Sequence, residues 1–547
     1  MMKRIGAAAG VAALLTMTLS ASPVWAVEPP KVDPAALPPD GPPEPAEEME
    51  LKQACRQALT IAQPDVTQPA PATAMLNLPE AWKFSTGAGV TVAVIDTGVT
   101  PSPRFKDLVG GGDYVMGRYG DGLEDCQVHG TIVASLIAAQ PQGSPVPPRR
   151  PENAPAQPPI DGVSAIPSPP PTTAAPPSPT TVTVTVPPPA PPPPPPPPEG
   201  DGEVAPAAGD GDTITGTDPA AGDDTRVVAP PPPGAPDGLV GVAPDARLVS
   251  VRQSSQTHGP KSYNANDKDH KAGDAGTLAL AVRHVADLPG MEHGVINISV
   301  VNCINAATPI DQAALGAALR YAAVEKDIVV VAAAGNTSGD CPANPLYDPL
   351  HPDDPRNWAG AQTVVAPAWW QPYVLAVGAV EPNGEPAAFS VPGPWVQIAA
   401  PGNQIMGLGP EGTVVNANPN VEPSKPPVRI YGSSFAAPIV SGTAALVRAA
   451  MPKLSAPQVI HRLVASAHPP AGGVDNRVGY GIVDPVAALT KSIPDGPVQF
   501  DEHLADKLIA PPPPPGRDMR PGKVAALAAI AVIAAATVLI RVARRRG

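Results

Sequence analysis

Proline fixes φ and removes a backbone donor, so a proline tract enters neither a helix interior nor the middle of a sheet. This chain carries 83 prolines in 547 residues, concentrated in a few tracts. Residues 142–236 consist largely of Pro, Gly, Ala, Thr and Asp and contain an unbroken proline run at 191–198. Such a segment has too little apolar surface to fold alone. It is expected to be a disordered insertion with stiff polyproline II stretches. A second Pro-rich stretch, 510–521, lies in a linker assigned to 496–521. Both read as passive spacers, so the folded core must come from the rest. With 3% aromatic residues, that core is built from Ala, Val, Ile and Leu, as sheets flanked by helices are.

Outside the tracts, short β-branched runs alternate with helical patterns. Strands are expected at 90–95, 248–251, 294–301, 328–333, 374–380 and 396–399, and helices at 131–139, 277–285, 313–324 and 434–450. Apolar runs without strand-like alternation suit strands buried on both faces. Their alternation with helices predicts an α/β fold with a parallel central sheet. The sheet resumes after residue 236, which makes 142–236 an insertion within one domain at 76–495. Residues 27–75, rich in Pro, Ala and Glu, form an N-terminal extension expected to be mostly irregular, with a short helix near 48–59.

Lys3 and Arg4 precede an apolar run at 5–19, and Val24, Trp25 and Ala26 end in a small residue at a cleavage point. This is the pattern of a signal peptide over 1–26. Residues 524–540 are 17 residues without a charge, between Lys523 and Arg541. As a helix they would cover roughly 26 Å of a hydrocarbon layer roughly 30 Å thick, and snorkelling flanks would span the remainder. A transmembrane helix at 522–542 is expected, contacting membrane lipid. The basic tail 543–547 with Arg544, Arg545 and Arg546 is then cytoplasmic by the positive-inside rule, and the main body lies on the extracytoplasmic, periplasmic side of the cell membrane. A formal charge of −14 argues against nucleic acid as a partner.

Three local patterns carry chemistry. Val92, Ala93, Val94, Ile95, Asp96, Thr97 and Gly98 place an aspartate at the end of a buried strand, where α/β sheets position functional groups. His129, Gly130 and Thr131 open a helix. Gly432, Ser433, Ser434, Phe435, Ala436, Ala437 and Pro438 open another. Taken singly these are ordinary capping positions. Together, the order Asp, His, Ser is one of the known orders of a catalytic triad. His129 has a pKa suited to general-base work, Asp96 would fix its tautomer, and Ser434 would be the nucleophile at a helix N-terminus. Asn336, after Ala332, Ala333, Ala334 and Gly335, ends a strand where its amide could donate to a developing oxyanion. Cys55, Cys126, Cys303 and Cys341 form an even set in an exported chain, which suggests two disulfides and leaves three pairings open. No Cys or His spacing and no compact carboxylate loop suggests a metal ion, and no cofactor is expected.

These blocks, with Gly241, Val242, Ala243 and Pro244 and with Val295, Ile296, Asn297, Ile298 and Ser299, resemble those of subtilases over residues 76–490. The resemblance implies a subtilisin-like three-layer fold and serine endopeptidase activity on protein or peptide substrates. Ser433 and Phe435 stand where Thr and Met are usual in that family, and keep the hydroxyl and the apolar plug. Ser299, Val300 and Val301 correspond to the edge that pairs with extended substrate. Val301 replaces a usual Gly and should narrow the neighbouring pocket. The whole layout further resembles the mycosins of type VII secretion systems. That resemblance implies an extension wrapped around the domain, pairing of Cys55 with Cys126 and of Cys303 with Cys341, and membrane components of a type VII secretion complex as partners. It also leaves open a mainly structural role in that complex.

Overall fold

The computed structural model describes residues 27–142 (except 28), 224–262 (except 233), 272–308, 312–346, 354 and 356–502 (except 423), with 541, 542 and 545 near the C-terminus. The expected signal peptide 1–26, most of the insertion 142–236 and the apolar segment 524–540 lie outside the described residues. Among the described residues no helix is long and apolar enough to cross a membrane. The chain divides into two units, Met1–Phe500 and Asp501–Gly547; the following concerns the first.

Among the described residues, seven strands form one wholly parallel sheet: β1 Thr91–Asp96, β2 Leu108–Asp113, β3 Arg247–Arg252, β4 Val295–Ile298, β5 Val329–Ala333, β6 Val374–Val380 and β7 Val396–Pro401. Their order across the sheet is β7, β6, β5, β4, β1, β3, β2, each pair parallel. The chain first builds from β1 towards one edge, then returns to lay β4 against the other side of β1. This reversal opens a crevice at the carboxyl ends of β1 and β4, the place where such sheets bind ligands.

Side chains of successive strand residues point to opposite faces, and both faces are covered. Val92 and Val94 of β1 join one core with helices α1 His129–Ala138, α4 Ser433–Ala450, α5 Ala456–Ser466 and α6 Pro485–Thr490. Ala93 and Ile95 join a second core with α2 Ala275–Asp287 and α3 Ala313–Arg320. The result is the expected three-layer, subtilisin-like α/β fold. Fully buried Val, Ile and Ala side chains supply most of both cores, each larger one contributing roughly 1.5–3 kcal/mol of burial.

The structure departs from the sequence expectations in three places. The strand expected over 294–301 ends at Ile298, and Asn302–Asn305 instead pairs antiparallel with Thr363–Ala366. Edge strand β2 is not among the expected strands; Gly110, Gly111 and Gly112 interrupt its apolar run, and the sheet accommodates them with a register shift. No helix forms over 48–59, where Met49–Leu51 pairs antiparallel with His258–Pro260.

That strand is part of a continuous set of attachments. Val32 and Leu37 pack on the α2/α3 core. Cys55 is bonded to Cys126, with Cα atoms 4.5 Å apart. The Leu59 N–H donates to the Ala417 carbonyl (2.7 Å), and the Thr60 hydroxyl donates to that of Val414 (2.7 Å). Asn416 holds the buried Ile61 by both its N–H (2.8 Å) and its carbonyl (3.0 Å). The extension thus runs from one face of the domain past the start of α1 to the other, its backbone groups satisfied along the way. The returning end of the insertion joins it, with Val228 N–H on the Thr60 carbonyl (2.9 Å).

Candidate active site

Asp96 is the last residue of β1 and fully buried. Its Oδ1 accepts the Thr97 N–H (2.7 Å) and lies 2.7 Å from Nδ1 of His129. His129 is the first residue of α1 and keeps 26% of its side chain exposed. A buried carboxylate on Nδ1 fixes the tautomer, directs proton transfer to Nε2 and would support the imidazolium that transfer creates. The approach is tight enough to dictate the next residue: a Cβ on Gly130 would stand 2.1 Å from the Gly98 carbonyl and 3.1 Å from Asp96 Oδ1. Glycine after the histidine is therefore a packing requirement of this pair.

Ser434 lies in the first turn of α4, and the ring of the next residue, Phe435, sits 5.1 Å from the His129 ring. Phe435 is buried and acts as the apolar plug expected at this place. Pro438 sits inside the same helix. Lacking an N–H, it cannot bond the carbonyl four residues back, which is that of Ser434. The Ser299 hydroxyl donates to that carbonyl instead, at 2.8 Å. Ser299 in turn accepts from Asn297 Nδ2 (2.9 Å), and Ser441 of α4 donates to Asn297 Oδ1 (2.8 Å). A neutral, fully buried chain of side chains therefore ties β4 to the serine helix.

Asn336 follows β5. Its Oδ1 accepts the Ser433 N–H (2.9 Å) and hydroxyl (3.1 Å), while Ser433 Oγ accepts the Gly335 N–H (3.0 Å). With Oδ1 so engaged, Nδ2 faces the other way. Gly432 shows where: it has φ +154°, and a Cβ there would stand 3.0 Å from Ser434 Oγ and 3.1 Å from Asn336 Nδ2. A hydroxyl and an amide donor converge on one small space that a side chain at 432 would fill. That is the geometry an oxyanion site needs.

The sequence reading singled out Asp96, His129, Ser434 and Asn336, and the crevice brings them together. It missed the roles of Asn297, Ser433 and Pro438. Two signals were present: a polar residue between Ile296 and Ile298 in a buried strand, and a proline one turn into a helix. Ser299, read as a substrate-pairing residue, turns its hydroxyl into the protein; Val300 and Val301 are half-buried between β4 and the 302–305 strand. Both disulfides, Cys55–Cys126 and Cys303–Cys341, are formed. The second joins the segment after Val301 to the one after Asn336. Among the described residues no group of three or more His, Cys, Asp or Glu could hold a metal ion.

An aspartate–histidine pair, a helix-start serine and a strand-end asparagine on a parallel sheet define the class of subtilisin-like serine proteases, and the Subtilase family profile matches residues 87–164 and 211–481. The gap between the two matched stretches falls inside the Pro-rich insertion. The chain is 48% identical to Mycosin-5 of Mycobacterium tuberculosis, covering 92% of this chain and 89% of that one. It is 38% identical to Mycosin-1 of Mycolicibacterium smegmatis, covering 98% of each. Among solved structures it resembles MycP1 from the ESX-1 type VII secretion system, with TM-score 0.65, 38% identity and coverage of 86% of this chain and 98% of that one. A chain of the intact ESX-5 inner membrane complex gives TM-score 0.64, 42% identity and coverage of 93% and 99%. The chain belongs to the subtilase family of serine proteases and, within it, to the mycosins.

Proposed function

We propose that this chain is a membrane-anchored, extracytoplasmic serine endopeptidase acting in a type VII protein secretion system. Ser434 attacks a peptide carbonyl, His129 takes its proton and returns it to the leaving amine, and Asp96 holds and compensates the imidazolium. Asn336 Nδ2 and the Ser434 N–H receive the oxyanion. The observation that carries the reading is the convergence of Ser434 Oγ and Asn336 Nδ2 on the space beside Gly432, next to the Asp96–His129 pair. Ser299, Val300 and Val301 flank the path of an extended substrate, with Val301 narrowing the pocket. The membrane anchor is residues 522–542, exported behind a signal peptide at 1–26, with the linker 496–521 holding the domain at 76–495 near the bilayer.

The test is hydrolysis of an unstructured peptide library by the full-length chain and by Ser434→Ala. The variant is expected to lose about 10⁴-fold or more in rate while still folding. Equal hydrolysis by both proteins would remove Ser434 from the mechanism.

A second reading is favoured by the likeness to a chain of the intact ESX-5 inner membrane complex: the protein contributes to such a complex by its presence, apart from cleavage. Complementing a deletion strain with Ser434→Ala separates the two. Full recovery of secretion assigns the essential contribution to structure; no recovery assigns it to proteolysis.

A further inference from the structure

Asp125, four residues before His129, has no place in the triad, yet it is the most heavily bonded carboxylate near it. Its Oδ2 accepts the Thr131 N–H (2.8 Å) and the Thr131 hydroxyl (2.7 Å). Its Oδ1 accepts the Thr97 hydroxyl (2.9 Å) and the Gln127 N–H (3.0 Å). Each threonine hydroxyl also accepts a backbone N–H from the opposite segment. Thr97 Oγ1 takes that of Gly130 (3.0 Å), and Thr131 Oγ1 takes that of Thr100 (3.0 Å). The two relays run crosswise between the loop that follows Asp96 and the first turn of the helix that begins with His129.

This arrangement does two things. It caps α1 from outside, because the N-cap position is occupied by Val128, which has no side-chain acceptor and sits at φ +66°. A β-branched residue in the left-handed region is strained, and persists where surrounding contacts over-determine it. The bonds on either side, Asp125 to Gln127 and Asp125 to Thr131, supply that constraint, as does the Cys126 bridge to Cys55. The arrangement also places a second negative charge beside the Asp96–His129 pair. Burial pushes the Asp125 carboxyl upward and the Asp96 charge adds to this, while the hydrogen bonds from Thr131 and Thr97 pull the other way. Four donors aimed at its two oxygens fit the ionised form.

We propose that Asp125 is a positioning residue: through Thr97 and Thr131 it sets the separation of Asp96 and His129 and supports the imidazolium formed during turnover. The charged groups around it are Asp96 on β1, His129 on α1, Glu124 next to it in an ion pair with Arg252 of β3, and Arg56 of the extension, whose N–H donates to the Cys126 carbonyl (2.8 Å). The proposal rests on the triad reading given above.

The experiment measures labelling of the full-length chain by a fluorophosphonate probe, which phosphonylates an activated serine with loss of fluoride, across pH. Ser434→Ala is examined first; labelling equal to the parent would end the triad reading itself. With that control passed, Asp125→Asn keeps the shape but turns its amide N–H₂ towards donors. Its limiting labelling rate should fall about 10- to 100-fold with little change in probe affinity, the scale expected when a catalytic pair is misplaced. The acid limb of the profile should move to lower pH, because removing a negative charge disfavours the imidazolium. Thr97→Val removes one relay at constant volume and should give a smaller effect in the same direction; it decides the matter if Asp125→Asn does not accumulate. Thr97→Ser should restore parental behaviour. Folded Asp125→Asn or Thr97→Val protein with the parental rate and acid limb would overturn the proposal. So would a loss of labelling that only tracks the loss of folded protein.

Discussion

On the His129 side of the site the side chains that hold position include buried carboxylates; on the Ser434 side all of them are neutral. Asp96 and Asp125 bracket the start of α1, and the buried Arg252–Asp113 pair lies on the two strands beyond β1. Around Ser434 the work falls to Asn297, Ser299, Ser433, Asn336 and Ser441, amides and hydroxyls without exception. The difference follows from the chemistry each half must support. In the proposed mechanism a proton lands on His129, so fixed negative charge there would lower the cost of the imidazolium. In the same mechanism a negative oxygen develops beside Ser434, so a carboxylate there would oppose it, whereas a neutral donor held from behind would stabilise it. The charged half should therefore respond to pH and the neutral half should not.

The sharpest way to break the comparison is Asn336→Ala. It removes the Nδ2 donor and frees Ser433 from Oδ1, and the limiting rate of peptide hydrolysis should fall roughly 10²–10³-fold, as measured for an oxyanion asparagine elsewhere. The pH profile should keep its shape, because no titrating group has changed. A loss confined to KM would mean that Asn336 binds substrate and takes no part in stabilising the oxyanion.

Asn297→Ala tests the neutral chain further from the chemistry. Ser441 and Ser299 would each lose a buried partner, and unfolding by denaturant should show a loss of about 1–3 kcal/mol. The loss should be the same at mildly acidic and neutral pH. A pH-dependent loss would show that the serine side is coupled to the charges across the crevice.

Much of this was legible in the sequence, for a physical reason. Parallel strands buried on both faces must be continuous apolar runs, so β1, β5 and β6 announced themselves, and Asp96 at the end of β1 and Asn336 just after β5 were functional candidates. β2 could not be read because its stability comes from pairing with β3, which tolerates three successive glycines at an edge. The strand at Met49–Leu51 was likewise invisible, since its partner His258–Pro260 is some two hundred residues away and neither segment has a marked pattern of its own. Asp125 belongs to none of the sequence motifs. Its meaning lies in threonines that come into range only once β1 and α1 are assembled.

The smallest expected effect lies at the outer end of the charged half. His258 sits in the strand that pairs with the extension and is buried, its Nδ1 2.9 Å from the Ser255 hydroxyl and 3.2 Å from that of Thr257. Burial pulls its pKa below the ordinary value of 6.5, and the Arg252 charge adds to this, with Asp113 and Glu124 opposing. The folded protein therefore binds fewer protons here than the unfolded chain. Stability from this site is fully present above pH 6.5 and declines as pH falls below that value towards the depressed folded pKa. Thermal melts of the parent should fall over this window, and His258→Gln, which cannot take up the proton, should flatten that part of the decline. Protection of the Lys52 and Gln53 amides, which donate to the Thr257 carbonyl at 2.8 and 3.2 Å, should weaken over the same window in the parent if protonation of His258 loosens the extension. Amide exchange unchanged across the window, with the melting decline intact in His258→Gln, would place the acid sensitivity elsewhere in the molecule.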